Sequence, residues 1–346
     1  MKKRTRMVAI ILILALVVTA VPTGIALMGA GSGITSQQRE DAMAEASQFS
    51  AASWMSAVDD QMKLTSVNIP GTHDSATAHI TPGYFLQCQK LGISDQLYAG
   101  FRYLDIRLAV DEDKEGNVSL KFIHAFGNCR KTGAPSSGTL HLDDVLSDVY
   151  AFLDANPSET VIFVVKDEGG EDDPAAFETA FFSYLDQKPD KWYTANTIPT
   201  IGEVRGRIVL ATRFDDVNGE GEDRMGLITH WSQQENKEVI DDPQEVVPIN
   251  EGEMLYVQDR FKYGVQDKWA AFAQSMNESM AGDIVLSLNF LSTSGSGSAG
   301  HPKSYANTLN AQLLNTNLET GRCYGVIIVD FGEEALARHI FASNIY

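Results

Sequence analysis

The sequence predicts an α/β fold, a (β/α)8 barrel of TIM type that forms a single domain over residues 53–346. Three observations lead there: short, nearly continuous apolar runs recur, amphipathic stretches separate several of them, and almost every run hands over to a polar or charged residue at its C-terminal end. Continuous apolar runs are the mark of parallel strands buried on both faces. Eight of them with helices between suggest a closed α/β barrel, with a doubly wound open sheet as the alternative.

The runs are Val67–Ile69, Tyr103–Leu108, Leu120–Ile123, Val161–Val165, Ile208–Ala211, Met254–Val257, Ile284–Leu288 and Val326–Val329. Helical periodicity appears over Leu142–Leu153, which is stopped by Asn156-Pro157, and again over Pro174–Leu185 and Lys268–Met280. Residues 1–30 stand outside the domain. A basic start, Lys2, Lys3, Arg4 and Arg6, precedes an apolar run, as in a signal peptide or a retained membrane anchor. Both place the domain outside the cytoplasm, secreted or tethered at the cell surface. Residues 31–52, rich in Gly, Ser, Gln and Ala, read as a linker.

The formal net charge is −19. Such a surface repels nucleic acid and anionic bilayers, so an anionic substrate has to be met by a few cations inside a site. Three cysteines, Cys88, Cys129 and Cys323, make no disulfide framework, although Cys88 and Cys129 could pair in an oxidising compartment. No CxxC spacing offers a thiolate zinc site.

The strand ends carry the chemistry. The first run leads into Pro70-Gly71-Thr72-His73-Asp74-Ser75, the second contains Asp105 and Arg107, and the third ends in His124. Lys166 follows the fourth run, Arg213 the fifth, Asp259 and Phe261 the sixth, and Asp330 the eighth. In an α/β barrel these ends converge on one face. Two histidines suit a general base and a general acid near neutrality. Each needs an orienting carboxylate, and Asp74 and Asp330 are available. An arginine can hold a phosphoryl group bidentately. There is no GxSxG elbow. Acid, base and arginine without a protein nucleophile point to phosphodiester cleavage by a hydroxyl of the substrate itself, which gains from proximity and needs no metal-activated water. Lys166, projecting into the same ring, supplies a positive charge where a metal site would want a carboxylate. No metal and no cofactor are expected.

The ordered motifs Ile69-Pro70-Gly71-Thr72-His73-Asp74-Ser75, Leu104-Asp105-Ile106-Arg107, Phe122-Ile123-His124 and Asn156-Pro157-Ser158-Glu159-Thr160-Val161-Ile162 resemble the X-domain of phosphatidylinositol-specific phospholipases C, in the bacterial metal-independent form. The resemblance implies that the barrel is a distorted one forming a single catalytic domain, and that the inositol 2-hydroxyl of phosphatidylinositol, free or glycosylated, attacks phosphorus to give diacylglycerol and a cyclic inositol phosphate. It implies His73 as base with Asp330, His124 as acid with Asp74, and Arg107 on the phosphate beside Asp105. Lys166, Arg213 and Asp259 then contact the inositol hydroxyls. Phe261 stands where the bacterial pattern has a tyrosine under the sugar ring. The expected partner is a lipid surface, met by a monomer without an obligate protein partner. Two other readings are a metal-dependent glycerophosphodiester-type phosphodiesterase and a non-catalytic inositol-lipid-binding surface protein. The first would need a glutamate-rich metal cluster, the second a lost histidine or arginine.

Overall fold

The computed structural model describes residues 49–134, 136–169, 173–297 and 300–345. The signal or anchor segment and nearly all of the linker lie outside these residues. No helix among the described residues is long and apolar enough to cross a membrane. The folded domain starts slightly before residue 53: Ser50 caps a short 3-10 segment, Ala51–Ala57, whose Ala51, Trp54 and Met55 are buried.

Besides β2 (Ile80–Thr81), β5 (Gly127–Cys129) and a two-residue parallel strand, β7 (Trp192–Tyr193), the described residues form a frame of eight parallel strands: β1 (Ile69–Thr72), β3 (Tyr103–Glu112), β6 (Val161–Asp167), β8 (Ile208–Thr212), β9 (Leu227–Ile228), β11 (Met254–Gln258), β12 (Val285–Phe290) and β13 (Val326–Val329). Each pairs with the one before it in chain order, except β11 with β9, and the last returns to the first, Ile69 opposite Val326 and Thr72 opposite Val329. The hydrogen-bonded ring stays open between β9 and β11. There, β10 (Glu245–Pro248) runs antiparallel along β11. Gln234, in the connection after β9, spans toward β11 with its side chain: Nε2 donates to Val257 O at 3.3 Å, and Oε1 accepts from Asp259 N–H at 2.8 Å.

Two expectations are corrected here. The run Leu120–Ile123 is not a barrel strand. It belongs to β4 (Val118–His124), a hairpin arm antiparallel to β3 with Val110 opposite Leu120. An apolar run buried against a neighbouring strand reads the same in either direction, so composition could not tell them apart. The barrel strand left uncounted is β9, too short at two residues to register as a run. The cysteines do not pair either: all three are free thiols. The Cys88 Sγ instead sits 3.7 Å from Leu86 O and 4.0 Å from His124 Nδ1.

Strand alternation sets up everything that follows, because successive side chains point to opposite faces. On β3, Leu104, Ile106 and Leu108 join one buried cluster with Leu146, Val149 and Phe163, under the helix Leu142–Ala155. Tyr103 joins the other cluster, with Val164, Val209, Val257 and Leu288. Asp105 and Arg107 therefore share the face of Tyr103. On β6, Ile162 and Val164 sit in that same cluster, so Lys166 continues their line, and Arg213 continues that of Val209 and Ala211 on β8. The periodicity that builds the core delivers the charged residues to one side at the C-terminal strand ends.

The N-terminal ends are held by a buried ion pair. Arg102, just before β3, donates from Nε (2.9 Å) and Nη2 (2.8 Å) to Glu159 Oε2 and also to four backbone carbonyls, those of Ala51, Ala52, Leu97 and Phe101. Both side chains are fully buried. Because the guanidinium has no water to fall back on, removing one partner strands a charge. Glu159→Gln is expected to lower unfolding free energy by about 3–5 kcal/mol in urea denaturation, with little change in the geometry of the opposite end.

Candidate active site

His73 follows directly on β1. Its Nδ1 lies 2.8 Å from Asp330 Oδ1 at the end of the neighbouring β13, and its Nε2 lies 3.1 Å from Arg107 Nη2. His124, the last residue of β4, has Nδ1 2.8 Å from Leu86 O and Nε2 3.2 Å from Asp74 Oδ2. The two imidazole centroids are 6.4 Å apart at 84°. Arg107 Nη1 lies 3.5 Å from Asp74 Oδ2 and 3.6 Å from Glu168 Oε1, and its Nε and Nη2 donate to Asp105 Oδ2 at 3.2 and 3.0 Å. One guanidinium thus gathers three carboxylates and touches the base-side imidazole. Side-chain exposures of 15% for His73, 13% for Arg107 and 18% for His124 leave each ring accessible from one side only.

The chain around these groups is strongly constrained. Asp74, Ala125 and Phe331 all have positive φ, at 46°, 51° and 49°. Two of them directly follow His124 and Asp330, and the third, Asp74, follows His73 and is itself in the site. A non-glycine residue in the left-handed region costs on the order of 1 kcal/mol and persists only where the surroundings dictate it. Here Ser75 Oγ accepts from Asp105 N–H at 2.9 Å, and Asp74 N–H donates to Asp105 Oδ2 at 3.1 Å. Gln96 Nε2 donates to Ser75 O at 2.7 Å. Buried Gln89 donates to both His73 O (2.7 Å) and Val329 O (2.9 Å), so one amide clamps the strand ends bearing His73 and Asp330.

Electrostatics follow from this packing. Burial disfavours the His73 imidazolium, but the charge and hydrogen bond of Asp330 outweigh it and raise the pKa to about 9, against the opposing charge of Arg107. Burial raises Asp74 despite Arg107 and both histidines. Asp105 goes the other way: burial is overcome by Arg107, His73 and Arg213, and its carboxyl falls far below the usual range. Glu168 is likewise lowered, its burial outweighed by Arg107 and Lys166.

The remaining sequence-predicted residues divide. Lys166 reaches the group through Glu168, whose Oε2 is 2.6 Å from its Nζ. Arg213 stacks on Trp231, its Cζ 3.4 Å from a ring centroid, and Trp231 Nε1 donates to Asp259 Oδ2 at 3.2 Å. Arg213, Trp231 and Asp259 make a second wall, coupled to Asp105 by charge. Phe261 is not drawn into this set. Its carbonyl accepts from Ser294 N–H at 2.8 Å, and its ring has the Lys262 ammonium 5.5 Å away. The sequence reading passed over Glu168, Gln89 and Trp231. Glu168 had a signal, since it lies two residues after Lys166 and so on the same strand face. Gln89 and Trp231 had none.

Among the described residues, one donor set could in principle attract a metal: ligand atoms of His73, Asp74 and Cys88 lie within 4.8 Å of one another. The residues do not fit that role. Both nitrogens of His73 are engaged, one of them facing a guanidinium, and burial together with Asp330 and Asp74 pushes the Cys88 thiol well up, keeping it protonated.

The family model described as phosphatidylinositol-specific phospholipase C, X domain, matches residues 67–214, the segment from β1 through Arg213 that carries both histidines, Asp105, Arg107 and Lys166. Over this segment the chain is similar to that family. Among curated relatives, a 1-phosphatidylinositol phosphodiesterase of Listeria monocytogenes is 28% identical over 84% of this chain and 84% of its own. One from Staphylococcus aureus is 28% identical over 85% of this chain and 95% of its own. A solved structure of the Staphylococcus aureus phosphatidylinositol-specific phospholipase C superposes with a TM-score of 0.69 at 25% identity, covering 86% of this chain and 98% of that one. The Listeria monocytogenes enzyme gives 0.66 at 25% identity, covering 86% and 100%. The barrel described above is therefore similar in fold to these solved structures.

Asp330→Asn keeps the shape of the His73 contact and removes its charge. Burial and Arg107, which both disfavour the imidazolium, then act unopposed by that carboxylate. The His73 pKa, read by NMR titration of the imidazole, is expected to fall from about 9 by at least one unit.

Proposed function

We propose that this protein is a metal-independent phosphatidylinositol-specific phospholipase C, a phosphatidylinositol diacylglycerol-lyase working on a lipid surface outside the cytoplasm. The observation that carries the reading is the unequal surroundings of the two histidines. His73 Nδ1 faces an acceptor, Asp330, and its Nε2 faces an obligate donor, Arg107, at 3.1 Å, with Asp74 Oδ2 farther off at 3.7 Å. In the deprotonated form, reached above a pKa of about 9, these partners place the remaining proton on Nδ1 and the lone pair on Nε2. His124 faces two acceptors, Leu86 O and Asp74, and so is suited to carry protons on both nitrogens. The same side chain, used twice, becomes a base in one place and an acid in the other.

In the reaction, His73 Nε2 takes the proton of the inositol 2-hydroxyl. The freed oxygen bonds to phosphorus while the bond from phosphorus to the glycerol oxygen breaks. His124 delivers its Nε2 proton to that leaving oxygen, releasing diacylglycerol and inositol 1,2-cyclic phosphate. Arg107 turns its guanidinium toward the phosphoryl oxygens as their negative charge grows, in a site already shielded from water. The raised pKa of His73 makes it a stronger base but leaves it protonated in more molecules at low pH, so activity falls as pH drops through that value.

Lys166, Arg213 and Asp259 present charges to the inositol hydroxyls, and Trp231 is an apolar face beside them. The family pattern's tyrosine position is Phe261, which contributes no hydroxyl. Tyr84 (71% exposed), Phe85 (42%) and Phe126 (78%) lie next to Leu86 and His124 in the chain, giving the mouth an apolar rim suited to lipid. The protein acts as a monomer, exported by its N-terminal segment or tethered by it.

Phosphorus NMR of the purified enzyme with phosphatidylinositol is expected to show the cyclic phosphate accumulating. His73→Ala and His124→Ala are each expected to cut turnover by about 10²–10⁴-fold with an unchanged circular dichroism spectrum; near-normal turnover in either would rule out the assignment. The positive charge for the phosphate is already built in as Arg107, held by Asp74, Asp105 and Glu168. Turnover at 25 °C is therefore expected to continue in excess EDTA, and a loss restored by calcium would overturn the metal-independent mechanism.

A further inference from the structure

A second carboxylate group lies where the helix Pro174–Leu185 meets the loop that follows β8 and Arg213. Glu178, on that helix, is fully buried, with 0% of its surface exposed. Its Oε2 accepts from Val217 N–H at 3.0 Å and Asn218 N–H at 2.9 Å, fastening the loop to the helix. Its Oε1 is equally buried and has no hydrogen-bond partner. Asp216 directly precedes Val217 in the loop that Glu178 fastens, so two carboxylates meet at this corner, and the Glu178 Oε1 is left without a donor.

The loop has a recognisable order. Asp216-Val217-Asn218-Gly219-Glu220-Gly221 places oxygen-bearing side chains at alternate positions and a glycine at the sixth, where a sharp turn is needed. Gly221 has φ 89°. Asp216 Oδ1 accepts from Gly219 N–H (2.7 Å) and Glu220 N–H (2.8 Å), and Oδ2 accepts from Gly221 N–H (2.9 Å). In a helix–loop–helix calcium site, position twelve supplies a bidentate glutamate. Here that position is Leu227, and the buried carboxylate comes instead from the neighbouring helix. Asp215, Glu222 and Asp223 add charge nearby, while Arg224 is engaged by Asp186 (2.6 Å) and Glu220 (2.9 Å).

A buried carboxylate oxygen against a second carboxylate is costly unless a proton or a cation sits between them. We propose that Glu178 and Asp216 bind a hard divalent cation, calcium by preference, with loop oxygens and water completing its shell. Calcium takes six to eight oxygens in flexible geometry, which suits a partly open loop; magnesium demands a tighter octahedron. The site is structural. It fixes the loop that leaves Arg213 and takes no part in the proton transfers at His73 and His124.

The test is thermal unfolding of the full-length, chelator-treated protein in CaCl2, MgCl2 or KCl at matched ionic strength. Exposed loop sites of this kind bind with Kd of about 10⁻⁴–10⁻³ M. At tenfold excess over Kd, calcium is expected to raise Tm by about 2–4 °C, with a smaller effect from magnesium and none from KCl. In Glu178→Gln, the amide can accept the two loop N–H groups and donate to Asp216. This variant is expected to match or exceed the metal-free wild type in Tm and to lose the calcium shift. Asp216→Asn is expected to lose the shift too, and it decides the matter if Glu178→Gln does not fold. No calcium shift in the wild type, or the same shift in the variants, overturns the site. So does a metal-free Tm that responds to acid at this pair while calcium adds nothing, since a shared proton would then fill the gap. Activity in EDTA is read separately, so failure here leaves the catalytic reading standing, and the reverse.

Discussion

The site is organised by the placement of one guanidinium. Arg107 sits among Asp74, Asp105 and Glu168 and against His73. Burying an unpaired cation would be prohibitive, and so would leaving three clustered carboxylates without one. Together they form a compact unit that neither half could sustain. The arrangement also fixes directions. With its Nε and Nη2 spent on Asp105, Arg107 can open only one flank toward a ligand. Asp74 is shared between Arg107 and His124, so a carboxylate stands between the guanidinium and that imidazole.

Such a unit needs a rigid frame, and the frame supplies it at the turns. The chain leaves the strand ends through left-handed residues at Asp74, Ala125 and Phe331. Each reverses direction within a residue or two of a functional side chain, so the side chain is presented by a sharp corner with little freedom. The corners are kept by buried amides and hydroxyls, Gln89, Gln96 and Ser75, whose hydrogen bonds go to backbone at the site. The opposite end of the barrel has the Arg102–Glu159 pair in an equivalent stabilising position, so the two ends divide chemistry and stability between them.

Much of this was legible in the sequence because it rests on period-two alternation. The spacing of Asp105 from Arg107, and of both from Tyr103, already puts them on one face of a strand. His73, His124 and Asp330 were readable as residues leaving apolar runs. What periodicity could not resolve was direction and length. It took the antiparallel arm β4 for a barrel strand and missed β9, whose two residues carry no pattern. It could not foresee that Cys88 would lie beside His124 without pairing to Cys129. It also could not find Gln89 or Trp231, because their roles depend on which loops fold over the strand ends, and loops carry no periodicity.

The open seam between β9 and β11 sharpens the division of labour within the site. Asp330, His73, Arg107 and Lys166 come from the C-terminal ends of β13, β1, β3 and β6, which are joined without a break by backbone ladders. Ladder spacing is nearly invariant, so the distances between these groups are set by the main chain. Arg213 and Asp259 stand on either side of the gap, and the wall between them depends on side chains: Gln234 reaching Val257 and Asp259, and Trp231 wedged between Arg213 and Asp259. A seam held by side chains can change its width through substitutions that leave every ladder intact. His73 and Arg107 therefore lie on the part of the barrel that cannot be altered piecemeal, and His124 is carried beside them on the arm β4, laddered to β3. Arg213 and Asp259 lie where the fold tolerates adjustment.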